Sequence, residues 1–185
     1  MSETKGLSAP KASFDRRSVV KGAAWSVPVI AAAIAAPAAS ASETTATAAF
    51  GPIGNVTYKG SPTKTGTAPT SFIIQNSAGA AINGNVTVKL TITPTTSGAP
   101  GTGIGAVTGG VVTTAGATTA ANVFTITFSV PVNLQGGQAQ SFAFGAYSHN
   151  GKNTSPAADY RIAMDIKLPG GRNMPQYTSV LHLNA

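Results

Sequence analysis

The chain has 185 residues, of which 12 are Lys or Arg, 5 are Asp or Glu and none is Cys. That length suits one domain plus a removable segment, and the lack of Cys excludes disulfides, thiolate metal sites and Cys nucleophiles together. The net charge of +7 reflects scarce acids and scattered cations, not a polybasic stripe, which speaks against nucleic acid as a partner.

The first element in chain order is an export signal. Arg16 and Arg17 precede two apolar positions, Val19 and Val20, and then Lys21. A weakly apolar run follows from Ala23 to Ala36, and Ala39-Ser40-Ala41 forms an A-x-A peptidase site. This order predicts a twin-arginine signal peptide with an N-terminal signal helix over residues 1–41. The Arg pair is read by a receptor, and the small side chains of Ala39 and Ala41 fit a signal peptidase. The 14-residue run is shorter than the roughly 20 residues a spanning helix needs, so no membrane segment is expected in the mature protein. The translocase and the peptidase are the partners expected during export.

The stretch from Arg16 to Ile30 resembles the signal peptides of actinobacterial surface and secreted proteins that leave by the twin-arginine route. It departs from them at Asp15, where Ser or Thr is usual, and at Val19, where Phe is common. The resemblance is confined to residues 15–41. It implies secretion or a place in the extracytoplasmic envelope of a Gram-positive cell, and it assigns no role to any later residue.

Residues 42–54 are rich in Ala and Thr, are broken by Gly51-Pro52, and read as a flexible arm. Short runs with period-two alternation follow, which is the mark of half-buried strands. They fall at 55–59, 71–75, 85–93, 122–130, 140–148, 160–168 and 176–184, with a weak strand at 104–114. Residues 61–70, bounded by Pro62 and Pro69, read as a loop or edge. Asn83-Gly84 reads as a turn, and Pro131 as a strand end. Over 85–93, Val86, Val88, Leu90 and Ile92 alternate with Thr87, Lys89 and Thr91. The pattern predicts an all-β domain over 55–185, an antiparallel sandwich of seven to eight strands. It resembles immunoglobulin-like or fibronectin-like Greek keys in architecture only.

Catalytic and cofactor signatures are missing from the sequence. Asp159 and Asp165, six residues apart on one strand, sit roughly 20 Å apart, too far for a glycosidase pair. No G-x-S-x-G elbow or metal-ligand spacing accompanies His149 or His182. Neither a catalytic residue nor a cofactor is therefore expected. Lys89 and Lys167 fall on outward positions, which disfavours an isopeptide cross-link at either. Tyr147 falls opposite Phe142 and Phe144 in the alternation and borders a turn, so it is the candidate ligand contact. The expectation is a non-catalytic secreted or envelope protein for adhesion, surface structure or partner binding. Its partner would be a cell-wall polymer, a glycan or a second copy, reached through an exposed strand such as 71–75 if that strand lies at an edge. A small carbohydrate-binding module and an unfamiliar hydrolase are the alternatives.

Overall fold

The computed structural model describes residues 45–185. Arg16, Arg17, Lys21, Ala39, Ala41 and the expected signal helix lie outside the described residues. Among the described residues there are twelve strands and no helix. In chain order they are β1 (Thr45–Phe50), β2 (Ile53–Lys59), β3 (Lys64–Pro69), β4 (Ser71–Ala78), β5 (Ile82–Pro94) and β6 (Thr102–Ile104). Then come β7 (Val111–Thr118), β8 (Phe124–Leu134), β9 (Ala139–Ala143), β10 (Tyr147–His149), β11 (Ala158–Lys167) and β12 (Tyr177–Leu183).

One sheet has the order β1-β4-β9, and the other nine strands follow the order β6-β10-β2-β3-β12-β11-β5-β8-β7. Pairing is antiparallel except between β10 and β2, which run parallel, so the large sheet is mixed. The strongest alternations build its centre. β5, β8 and β11 bury Val88, Leu90, Ile92, Ile126, Phe128, Ile162 and Met164, and the small sheet adds Phe72, Ile74 and Phe142 to the same core. Fully burying one such side chain stabilises the fold by about 1.5–3 kcal/mol, which lets a cysteine-free chain hold together by packing. The fully buried Asn76 of β4 donates to the carbonyls of Ala80 and, at 3.1 Å, Leu134, and so ties the small sheet to the end of β8.

Several local expectations are corrected. Residues 45–50, read within a flexible arm, form β1, and the chain is already strand again at Ile53. Small Ala and Thr side chains weaken the alternation there, but β1 pairs along its whole length with β4. Within the stretch read as a loop or edge at 61–70, Lys64–Pro69 forms β3, an interior strand between β2 and β12, and only 61–63 and 70 lie outside it. Asn83-Gly84 does not reverse the chain. Gly84 takes φ 119, a conformation open to glycine, and β5 continues through it. β8 likewise runs through Pro131. Pro131 pairs with Asn85 of β5, while the ladder with β7 reaches only Ser129, so the proline sits where β8 has lost one of its two neighbours.

Residues 71–75 are not at an edge, since β4 is the middle strand of its sheet. β7, an edge of the large sheet, has all eight residues facing solvent, Val111 and Val112 included. Two irregularities in its pairing with β8 coil this edge, a device that discourages further strand addition.

Candidate functional site

Period-two alternation fixes which side chains leave the core. On β11 the inward residues are Tyr160, Ile162, Met164 and Ile166, so Asp159, Arg161, Ala163, Asp165 and Lys167 point outward. On β5 the same logic turns Thr87, Lys89, Thr91 and Thr93 outward. The register places Arg161 beside Thr93, Ala163 beside Thr91, Asp165 beside Lys89 and Lys167 beside Thr87.

These rows line two depressions. One of 490 Å³ is lined by Lys89, Thr91, Thr93, Thr95, Arg161, Asp165 and Gln176. The other, of 400 Å³, is lined by Thr87, Lys89, Asp165, Lys167 and Asn173. They meet at Lys89 and Asp165, and together form an open groove along β5 and β11. From Thr87 to Thr95 it extends roughly 27 Å at ~3.4 Å per residue. A third depression of 390 Å³ lies over β2 and β3, lined by Asn55, Thr57, Thr65, Thr67 and Asn184.

Charge is concentrated at the groove. Residues 90–151 contain no Lys, Arg, Asp or Glu. Of the nine charged residues in 45–185, five (Lys89, Asp159, Arg161, Asp165 and Lys167) sit on these two strands. Gln176 Nε2 donates to Asp165 Oδ1 at 2.8 Å, and Gln176 Oε1 accepts from Arg161 Nη2 at 3.4 Å. Asp159 Oδ1 lies 2.6 Å from His182 Nδ1, the single contact between an acidic and a basic side chain within ion-pair distance among the described residues.

Tyr147 is not a surface contact. It is 2 % exposed, and its hydroxyl donates to the Pro69 carbonyl at 2.6 Å. The expected strand 140–148 breaks between β9 and β10, where Gly145 donates to the Ala106 carbonyl. That break shifts the alternation and turns Tyr147 into the core against Tyr58, ring centroids 5.4 Å apart. Tyr58 and Tyr160 are buried too, donating to the carbonyls of Thr67 and Pro100. Burial holds Tyr58 and Tyr147 well above the usual tyrosine range, with a neighbouring phenol adding to each shift, and raises Tyr160 as well.

The two histidines differ. His149 is buried, accepts from the Gly151 N–H at Nδ1, and has Nε2 2.7 Å from the Pro62 carbonyl, so both ring nitrogens are engaged in structure. His182 and Asp159 form an acid–histidine pair of the kind that orients a general base. Both side chains are open to water, at 39 % and 67 % exposure, and among the described residues no hydroxyl bonds to His182. No cluster of three or more metal-ligating side chains occurs among the described residues.

No family model, curated protein or solved structure matches the chain. The functional reading therefore rests on the groove itself. Alternation already placed Lys89, Arg161 and Lys167 outward. Nothing local signalled that β5 and β11, some seventy residues apart in sequence, are neighbours. Sequence reading also missed Lys64, which is buried with Nζ donating to the Ser155 carbonyl at 2.9 Å.

Proposed function

We propose that the chain is an exported, non-catalytic β protein of the cell envelope that holds an extended polymer in the groove across β5 and β11. The observation that carries this reading is the groove: it is long, shallow, floored by threonines, and holds four of the nine charged residues in 45–185. An open channel suits a chain lying across it. A small substrate, by contrast, is commonly enclosed in a cleft that buries most of its surface. Threonine offers a hydroxyl for hydrogen bonding and a methyl for contact, without the entropy cost of a long side chain.

The sandwich architecture belongs to the same proposal. Its support is that inward residues of both sheets share one core, Phe72 and Phe142 from one and Val88 and Phe128 from the other. An immunoglobulin-like connectivity has less behind it, since nine of the strands join a single sheet. The carbohydrate-module alternative loses Tyr147 as its contact. The hydrolase alternative has the His182–Asp159 pair in its favour, but that pair lies in open solvent without a bonded nucleophile.

Binding to the envelope is tested by sedimenting the protein with isolated cell envelopes. The parent is expected in the pellet, and the exposed double variant Lys89→Ala/Arg161→Ala in the supernatant. Equal pelleting of the two would refute the groove as the contact. The export half of the proposal rests on Arg16, Arg17 and the Ala39-Ser40-Ala41 site. The variant Arg16→Lys/Arg17→Lys should accumulate uncut in the cytoplasm, while the parent yields a mature protein starting at Ser42. Unchanged export of the variant would remove the twin-arginine route.

A further inference from the structure

We infer that the groove selects a linear polyanion over a neutral chain, an inference that rests on the polymer reading above. Its three cations, Lys89, Arg161 and Lys167, are solvent-exposed. None has a carboxylate within ion-pair distance among the described residues, although Asp165 is the cross-strand neighbour of Lys89. Both acids are engaged elsewhere: Asp165 accepts from Gln176, and Asp159 faces His182. Three cations against the single carboxylate of Asp165 in the lining leave the groove with a net positive charge, which anionic groups would offset.

The spacing argues for a chain and against a small ion. Lys167 lies beside Thr87, Lys89 two residues along β5, and Arg161 beside Thr93. Along the strand these positions are roughly 7 Å and then 14 Å apart. Three cations so spread do not converge on one phosphate or carboxylate, but they match a polymer with repeated charges. Thr91 and Thr93 line the interval between Lys89 and Arg161 and would meet the uncharged part of each repeat. The flanking strands β8 and β12 carry no Lys, Arg, Asp or Glu, so the groove's own cations dominate this face.

The test titrates the full chain with polyphosphate, polygalacturonate and dextran of similar length, by calorimetry at low and physiological salt. Both polyanions are expected to bind, less tightly as salt rises, and dextran is not. The tighter of the two identifies phosphate or carboxylate as the preferred group. The variant Lys89→Ala/Arg161→Ala/Lys167→Ala should lose about tenfold or more in affinity, given roughly threefold for each exposed ion contact. Lys152→Ala, outside the groove, should bind as the parent does, and circular dichroism should show each variant folded. Dextran binding as well as the polyanions would overturn the charge selection while leaving the polymer reading intact. Polyanion or duplex DNA binding that survives in the triple variant would overturn the groove as the anion site. Failure to bind any of these chains or isolated envelopes would overturn both.

Discussion

Above about pH 10 the protein is expected to lose stability at about 3 kcal/mol per pH unit, roughly 1.4 for each of Tyr58 and Tyr147, with Tyr160 acting in the same direction. Tyr58, Tyr147 and Tyr160 are buried, and each donates its hydroxyl proton to a backbone carbonyl. Burial keeps these protons on in the folded state past the point where an unfolded tyrosine releases them. The folded state then binds more protons than the unfolded one, so a rise in pH favours unfolding. Below the unfolded value both states are protonated, and these groups leave stability independent of pH. Tyrosinate absorbance and far-ultraviolet circular dichroism should therefore change together in an alkaline titration. Ionisation of all the phenols near pH 10 with the sheet signal intact would contradict the burial of this trio.

Gly66→Ala should destabilise the fold by about 3 kcal/mol, the upper end of overpacking costs. Gly66 is buried in β3 and pairs with Leu183 of β12. A methyl at this position would collide with the His182 carbonyl oxygen and approach the Tyr58 ring to 2.9 Å. The carbonyl is backbone in an interior strand, so relief requires β12 to move away from β3. That movement would also disturb the His182–Asp159 pair. A melting temperature lower by about 10 °C is expected for a domain of this size. Gly105→Ala is the control. Its new methyl would meet only the Ala146 carbonyl oxygen at 3.9 Å, and its stability should stay within about 0.5 kcal/mol. Equal stability of the two variants would refute the tight β3–β12 seam.

The strands that could be read from sequence are those with one face in the core. In β5, β8 and β11, large apolar residues alternate with Thr, Lys and Arg, so burial on one side writes a period of two into the chain. β1 was hidden because Ala and Thr contrast too little in polarity, and only its pairing with β4 makes it a strand. β3 was hidden by its flanking prolines, although the strand between them is enclosed by β2 and β12. Tyr147 was misplaced by the break at Gly145, since one irregular step reverses which side of the sheet every later residue faces. The groove was half legible. Alternation gave the outward direction of Lys89, Arg161 and Lys167, but the register that aligns them depends on long-range pairing that no local pattern encodes.

Backbone amide chemical shifts of the labelled protein, followed as envelope polymer is added, test the central claim most directly. Binding in the groove predicts that the largest changes fall on Thr87, Lys89, Thr91 and Thr93 of β5 and on Arg161, Ala163, Asp165 and Lys167 of β11. Changes confined to the β7 edge or to the turn after His149, with β5 and β11 unmoved, would contradict it.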